Sequence, residues 1–197
     1  MSKYVIGITG ASGSIYGIRL IQELGLRKHA VDVVITSAGK MVMKEELGVP
    51  GFDMKKLGLS HIKSRIRIWE NDDFEAPFLS GSNPPEAVVI IPCSMGKLAA
   101  VANGISGNVL ERTADVVLKE DRQLILVVRE TPLSLIHLEN MVKIAKAGAQ
   151  ILPAMPAFYH HPTTIDDMVN FVVGKVLNLL RIEHTLFKGW RKEHGTK

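Results

Sequence analysis

In the segment Leu124-Ile125-Leu126-Val127-Val128-Arg129-Glu130-Thr131-Pro132, an unbroken apolar run ends at a guanidinium and a carboxylate. Continuous Val, Ile and Leu of this length are typical of a parallel strand that is covered on both faces. Ligands in open α/β sheets bind just beyond the carboxyl ends of such strands. The segment therefore predicts a parallel α/β fold with Arg129 and Glu130 at its functional edge. The alternative is a surface ion pair that caps the strand.

Five further strand-like runs surround this one, with helical patterns between most of them. Alternation of this kind predicts a parallel sheet with helices on both faces. We therefore expect a three-layer, flavodoxin/Rossmann-like α/β fold with about six strands. The predicted strands are residues 4–9, 31–36, 66–69, 87–91, 124–128 and 149–152.

Composition and charge narrow the class of protein. The chain has 197 residues, 46% hydrophobic and 22% charged, which predicts one domain over residues 1–197 with a C-terminal tail at 181–197. The net charge of +4 comes from scattered lysines and arginines, so an anionic small molecule is a better partner than nucleic acid. No apolar stretch reaches the roughly 20 residues that span a membrane. The chain opens on a strand without a secretory leader, which predicts a cytoplasmic protein.

Two later segments have distinct patterns. Thr164 and Asp167 form a capping box before the clearest amphipathic helix of the chain. Its apolar stripe comprises Met168, Val169, Val172, Val173, Val176, Leu177 and Leu180.

Residues 70–77 and 80–85 are instead polar and proline-bearing, and a strand follows at once. They predict a functional loop or a subunit contact.

A turn of small residues, Gly10-Ala11-Ser12-Gly13-Ser14, joins the first strand to a helix predicted over residues 16–27. Backbone N–H groups at a helix N-terminus suit a phosphate. The chain lacks the Gly-Lys-Ser/Thr of a Walker loop, the G-x-G-x-x-G of dinucleotide folds and the Tyr-x-x-x-Lys of short-chain dehydrogenases. The second strand ends at the hydroxyls of Thr36 and Ser37, where a dinucleotide fold places an acidic residue. A mononucleotide such as FMN is therefore favoured over NAD.

The fourth strand leads into a second turn of the same kind, Cys93-Ser94-Met95-Gly96-Lys97, which could hold another part of one ligand. Cys93 is the single cysteine, so an intrachain disulfide and a cysteine-rich metal site are excluded. It follows a proline and an apolar strand, with Lys97 as the one cationic neighbour. A packed, unreactive thiol is favoured over a nucleophile.

Cations on the helix that begins at Asn108 point to an anion near Glu130. Arg112 and Lys119 lie seven residues apart, on roughly one face and about 10 Å apart along the axis, and could hold both sides of a phosphate. The alternative is a solvated face that is paired locally with Glu111, Asp115 and Glu120. A carboxylate among Arg129, Arg112 and Lys119 should stay ionised, which suits Glu130 to accept or relay a proton.

The proline-rich stretch over residues 153–162 predicts a rigid loop. Its adjacent His160 and His161 lack further ligands at metal spacing, so no metal site is predicted. The Tyr159 phenol could bind an anionic oxygen, and Lys175 either reaches the same place or lies on the surface. For His137, at the start of a helix, a structural role is favoured.

Seven motifs in order resemble the UbiX-type flavin prenyltransferases, a flavodoxin-like group of homo-oligomeric FMN proteins. Each motif is modest alone, but together they cover nearly the whole chain. They are Gly7 to Gly13, Ser80-Gly81-Ser82, Pro92-Cys93-Ser94-Met95, Arg112 to Glu120, Arg129 to Leu133, His137 to Met141, and Pro156-Ala157-Phe158-Tyr159.

The resemblance implies transfer of a dimethylallyl group from dimethylallyl monophosphate to N5 and C6 of reduced FMN, without a metal. Prenylated FMN and phosphate are the products, and a UbiD-type decarboxylase uses the prenylated FMN. A homododecamer with sites at subunit contacts is also implied. The sequence leaves open a diphosphate donor, as well as a cysteine-type FMN-dependent decarboxylase or a flavodoxin-like FMN carrier as alternatives.

Site residues follow from the resemblance position by position. Ser12 and Glu130 match a pair that passes protons, Lys119 is the third catalytic candidate, and Trp190 matches a tail aromatic that closes the site. The FMN-binding positions are Gly10, Ala11, Ser12, Thr36, Ser94, Met95, Gly96, Lys97 and Arg129. The prenyl phosphate positions are Arg112, Lys119, Arg129, Glu130, Tyr159 and Lys175. Lys175 replaces an arginine of many relatives, and the Gly96-Lys97 turn differs from some of them.

Overall fold

The computed structural model describes residues 3–190, which divide into two compact units with the boundary between Pro153 and Ala154. In the larger unit, six parallel strands form one sheet in the order β3-β2-β1-β4-β5-β6. The strands are β1 (Lys3–Ile8), β2 (Ala30–Ile35), β3 (Ile66–Trp69), β4 (Ala87–Cys93), β5 (Gln123–Val128) and β6 (Gln150–Ile151). All six predicted strands are confirmed, with ends that differ by at most two residues.

Five helices of the larger unit connect these strands. Helices α1 and α2 contact each other, while α3 contacts both α4 and α5. Because parallel crossovers are right-handed, the reversal of strand order at β1 puts the two groups on opposite faces of the sheet. The five are α1 (Ser14–Leu26), α2 (Ser37–Leu47), α3 (Met95–Ala102), α4 (Val109–Lys119) and α5 (Leu135–Lys146).

The sheet interior explains why apolar runs mark the central strands. Every residue of β4 is buried, and so are five of the six residues in each of β1, β2 and β5. Side chains from α3 and α4, including Leu98, Leu110 and Val117, pack on one face of these strands. Burial on both faces leaves no place for alternating polar residues.

The polar segment after β3 is tied to α4. The backbone carbonyl of Asn71 accepts a hydrogen bond from the Val109 N–H at 2.9 Å, and its side-chain oxygen accepts one from Leu110 at 3.3 Å. Phe78 is fully buried and meets Trp69 edge to face. Gly81 runs so close to α4 that an added Cβ would lie 2.7 Å from Lys119 Nζ. This segment therefore caps and supports α4.

The smaller unit contains α6 (Ile165–Leu179), where the predicted capping box is confirmed. Thr164 Oγ1 accepts from the Asp167 N–H, and the Asp167 carboxylate accepts from the backbone of Thr163 and Thr164. Hydrogen bonds from the Thr163 backbone, the Thr164 hydroxyl and the Thr164 backbone lower the pKa of Asp167 to about 2.

Replacing Asp167 by asparagine should destabilise the protein in a pH-dependent way. The pKa of Asp167 is depressed in the folded state, so its stabilising contribution is present above the ordinary value of 3.8 and lost as pH falls toward about 2. The urea midpoint of Asp167→Asn should lie below that of the wild type at pH 7, and the two should converge as the pH falls to about 2. Asp72→Asn, at an exposed carboxylate, is the control, and a pH-independent difference would contradict the prediction.

Candidate functional site

Three helix N-termini meet where the strand order reverses. Strand β1 lies between β2 and β4, and these strands lead into α1, α2 and α3. Unpaired N–H groups and the positive ends of helix dipoles favour anions at such a place. The topology thus puts both turns that were singled out in the sequence at one edge of the sheet.

Thr9 joins the two turns. Its hydroxyl donates to the Pro92 carbonyl at 2.7 Å and accepts from the Ser94 N–H at 2.8 Å, across 83 and 85 residues of sequence. The residue is 1% exposed. Sequence analysis assigned it no role, although a polar residue that ends a buried apolar strand is a usable signal.

Thr9→Val should therefore destabilise the fold. Valine keeps the shape of the side chain but leaves the Ser94 N–H without its acceptor, which costs about 1–3 kcal/mol for a buried donor. The free energy of unfolding in urea measures this loss, and Thr185→Val, at an exposed threonine, should leave it unchanged. Equal stability of Thr9→Val and wild type would show that the link between the turns contributes nothing.

The first turn carries a carboxylate that the sequence analysis did not identify. Glu46 of α2 accepts hydrogen bonds from the Gly13 N–H at 2.9 Å and the Ser14 N–H at 2.8 Å, at the N-terminus of α1. Burial favours the protonated form, but hydrogen bonds from Ser12, Gly13 and Ser14 outweigh it and lower the pKa of Glu46. These two N–H groups are therefore bonded to a side chain, contrary to the expectation that they serve a phosphate.

The hydroxyls of Thr36 and Ser94 cap helices. Thr36 Oγ1 accepts from the Gly39 N–H at 3.0 Å, and Ser94 Oγ accepts from the Lys97 N–H at 3.4 Å. Apart from its chain neighbours and the backbone of its own helix, nothing in residues 3–190 lies within 4 Å of a Cβ placed on Gly96. Around Met95 and Gly96, the second turn therefore has room for a ligand beside the N-terminus of α3.

Cys93 lies fully buried at the end of β4. Burial raises the pKa of its thiol to about 12, against the opposing charge of Lys97. A thiol of this kind is neither a nucleophile nor a metal ligand at neutral pH. The prediction of a packed cysteine is confirmed, and the raised pKa agrees with an unreactive thiol.

The Lys97 side chain turns away from the second turn. Its ammonium contacts Glu111 Oε1 of α4 at 2.5 Å and Asn108 Oδ1 at 3.4 Å, and both charged side chains are largely buried. Burial favours protonated Glu111, but hydrogen bonds from Lys97, Asn108 and the Gly107 backbone, together with the charge of Lys97, outweigh it and lower the pKa of that carboxyl. This pair ties α3 to α4, and a flavin contact by the Lys97 ammonium stays a prediction.

Arg129 and Glu130 follow β5 at the same edge of the sheet. The Arg129 N–H donates to the Cys93 carbonyl at 3.3 Å, so the residue lies beside the second turn. Its Nε is buried and has no hydrogen-bond partner in residues 3–190. Glu130 accepts from the Thr131 N–H at 3.0 Å rather than from Arg129. The alternative of an ion pair between these two side chains is therefore wrong.

Within one chain both cations of α4 pair locally, and Lys119 lies far from Glu130. Arg112 contacts Asp115 at 2.9 Å and Lys119 contacts Glu120 at 2.7 Å. Both contacts agree with the alternative of a solvated helix face with local ion pairs. Lys119 precedes β5, whereas Glu130 follows it, and a strand of six residues spans about 20 Å. Lys119 and Glu130 of one copy are thus too far apart to hold one phosphate.

The smaller unit holds an aromatic cluster around Tyr159. Trp190 meets the Tyr159 ring edge to face at 5.2 Å, and His160 stacks on Phe171 at 5.2 Å with an angle of 8°. Lys175 is exposed and lies four residues beyond Phe171 on α6, which places both on one helix face. Three predicted site residues, Tyr159, Lys175 and Trp190, therefore belong to this unit. Residues 191–197 of the predicted tail lie outside the described residues.

Residues 3–190 contain no group of three metal-ligating side chains and no helix that is long and apolar enough to span a membrane. His137 accepts at Nδ1 from the Ser134 N–H and completes a capping box on α5. Its predicted structural role is confirmed.

Comparison with known proteins identifies close relatives. The family described as Flavoprotein matches residues 1–177. A flavin prenyltransferase UbiX of Halalkalibacterium halodurans is 52% identical over 194 residues, covering 96% of this chain and 94% of the relative. The crystal structure of AnUbiX (PadA1) in complex with FMN and dimethylallyl pyrophosphate has a TM-score of 0.88 at 34% identity, over 98% of this chain and 99% of that one. A dodecameric FMN-dependent UbiX-like decarboxylase from Escherichia coli O157:H7 has a TM-score of 0.86 at 36% identity, over 96% and 99%.

Proposed function

Because the chain belongs to the Flavoprotein family, among relatives named flavin prenyltransferase UbiX, we propose that it transfers a dimethylallyl group from dimethylallyl monophosphate to reduced FMN. The products are prenylated FMN and phosphate, and no metal takes part. The observation that carries the proposal is the buried, unpartnered Nε of Arg129, a residue that lies beside the turn before α3 at the carboxyl edge of the sheet.

The residues at this edge fit FMN. A buried guanidinium nitrogen without a partner costs free energy unless an anionic or polar group of a ligand accepts from it. Gly96 leaves open space at the second turn, and Thr36 and Ser94 place hydroxyls at the starts of α2 and α3. We assign Gly10, Ala11, Ser12, Met95 and Lys97 to the same contact region. Reduced FMN, when bound, supplies the N5 and C6 atoms that accept the dimethylallyl group.

Ser12 and Glu130 serve proton transfer in this proposal. Ser12 hydrogen-bonds to Glu46, whose lowered pKa keeps it ionised, so that it accepts this hydrogen bond and orients the serine hydroxyl. Glu130, free of an ion pair with Arg129, exchanges a proton with the leaving phosphate. Ser12 therefore acts near flavin N5, and Glu130 acts at the leaving phosphate. Glu46 is the hydrogen-bond partner of Ser12 that the sequence did not reveal.

The phosphate is held by more than one copy of the chain. Departure of phosphate from an allylic carbon leaves cationic character, so cations must surround the phosphate while water is excluded. Since Lys119 and Glu130 lie at opposite ends of β5, a second copy supplies Lys119 to the site of Glu130, and Arg112, near the start of α4, also binds the phosphate. The dodecamer formed by a relative supports this arrangement, and we propose a homododecamer here.

Tyr159, Lys175 and Trp190 keep the roles that the resemblance implies. The Tyr159 phenol and the Lys175 ammonium bind phosphate oxygens, and the exposed face of Trp190 stabilises the allylic cation. Their grouping in the aromatic cluster of the smaller unit supports this assignment. Because Lys175 is a point charge rather than a bidentate guanidinium, it grips phosphate with less geometric specificity than an arginine.

We further propose that a UbiD-type decarboxylase receives the prenylated FMN. An acceptor that must be reduced requires a reducing compartment, which supports a cytoplasmic location. Neither proposal affects the chemistry of the site.

Anaerobic incubation with FMN, dithionite and dimethylallyl monophosphate tests the reaction. Mass spectrometry should find flavin that is heavier by one C5 unit, together with free inorganic phosphate. The same incubation with dimethylallyl diphosphate tests the donor. Unmodified flavin with both donors, from protein that binds FMN, would overturn the proposed function.

A further inference from the structure

A cavity opens at the amino edge of the sheet, where β1, β2 and β3 begin, at the other end of the strands from the candidate functional site. We call it the amino-edge cavity. Its volume of about 290 Å³ is close to the lower end of ligand pockets, which run from roughly 300 to 1,000 Å³. The charged residues that line it are Lys3, Asp32, Arg65 and Arg67.

Lys3 is fixed at the amino-edge cavity by two contacts. Its ammonium lies 3.3 Å from Asp32 Oδ2 and 5.3 Å from the centre of the Phe78 ring. Asp32 is 3% exposed, and its Oδ1 accepts a hydrogen bond from Trp69 Nε1 at 2.6 Å. Each oxygen of this carboxylate therefore has its own partner, and Lys3 compensates its charge. A cation that is held in place needs little further ordering when a ligand binds.

The guanidinium of Arg67 is left for another anion. Arg67 on β3 is the register neighbour of Asp32 on β2, yet its side chain makes no hydrogen bond or ion pair within residues 3–190. Arg65 Nη1 donates to the Lys28 carbonyl at 3.3 Å, which anchors a second guanidinium beside the cavity. Three cations and one carboxylate give the lining a net charge of +2.

We infer that the amino-edge cavity binds a small phosphate monoester. Such an ester is close to a dianion at neutral pH, because its second pKa is about 6, so its charge balances the lining. Guanidinium groups match phosphate oxygens with paired hydrogen bonds, and the exposed Ser64 adds a hydroxyl. A monocarboxylate would leave one positive charge uncompensated. The volume is several times the roughly 30 Å³ of one water, which leaves room for an organic group beside the phosphate.

This site is distinct from the one proposed for FMN and the prenyl phosphate. The two lie at opposite ends of the strands, and a strand of six residues such as β2 spans about 20 Å. One small phosphate monoester therefore cannot occupy both places at once.

Tryptophan fluorescence tests the inference, because Trp69 is bonded to Asp32 in the wall of the cavity. The chain has two tryptophans, so Trp190→Phe leaves Trp69 as the single reporter. Titration of this variant with glycerol 3-phosphate at constant ionic strength should change the emission along a saturating curve. Arg67→Gln in the same background should weaken the apparent affinity about tenfold or more, because a charge-assisted hydrogen bond is lost. Arg122→Gln, at an exposed arginine outside the cavity, should bind like its parent.

A further variant separates the amino-edge cavity from the candidate functional site, which also attracts phosphate. Arg129→Gln in the Trp190→Phe background should keep the Trp69 response. A response that is lost in Arg129→Gln and kept in Arg67→Gln would assign the phosphate to the carboxyl edge and overturn the inference. Absence of a saturable response, or one that Arg67→Gln and Arg122→Gln alter equally, would overturn it as well.

Discussion

Glu130→Gln should bind FMN like the wild type but form prenylated flavin about a hundredfold more slowly or worse, since positioned proton transfer contributes roughly 10²–10⁴-fold. Glutamine keeps the shape and accepts the Thr131 N–H hydrogen bond, so the turn after β5 should persist. What it cannot do is exchange a proton with the leaving phosphate.

Stopped anaerobic reactions analysed by mass spectrometry give the rate of product formation, and flavin fluorescence gives the affinity for FMN. Glu75→Gln, at an exposed glutamate, is the matched control. A Glu130→Gln enzyme with the full rate would show that this carboxylate moves no proton. Loss of FMN binding would instead place Glu130 in the flavin contact.

Lys119→Ala should lower kcat/KM for dimethylallyl phosphate by about 10–100-fold, because a hydrogen bond to a charged group contributes about 1.5–3 kcal/mol. Lys63→Ala, at another exposed lysine, should have no effect. Lys119 and Glu130 lie at opposite ends of β5. In a site shared between two copies, each variant therefore removes the residue that a different copy supplies.

Mixing the two variants separates an intrachain site from a shared one. If a second copy supplies Lys119, co-expressed Lys119→Ala and Glu130→Gln chains should regain up to about a quarter of wild-type activity, because random mixing rebuilds that fraction of intact sites. If both residues act within one chain, every site keeps a defect. Activity at the level of the separate variants would therefore contradict the shared site.

Local patterns predicted most of the fold. The apolar runs recur as buried strands, and the capping signals at Asn108 and Thr164 mark the starts of α4 and α6. Cys93 and His137 also have the packed and structural roles that were favoured. These features depend on residues that are close in sequence or on burial, which hydrophobicity and spacing report directly.

The candidate site was harder to predict, because its contacts cross long separations. Glu46 bonds to a turn 33 residues away, and its position inside a helix gives no local signal. Thr9 reaches the Pro92 carbonyl 83 residues away. In the sequence, Lys97 belongs to a turn that is predicted to bind a ligand. In the structure, its ammonium instead forms a largely buried ion pair with Glu111.

By itself, the sequence determined the parallel α/β class, the order of strands and helices, the two small-residue turns, and Arg129 and Glu130 as the end of a buried strand. Periodicity and residue type are enough for these features, because each reflects how a short segment is buried. Tertiary structure alone decided that Glu46 bonds to the first turn and that Lys119 and Glu130 lie at opposite ends of β5. Where the end of α4 lies relative to the end of β5 depends on how the helix packs on the strand. No local sequence pattern reports that packing, so only the folded chain shows it.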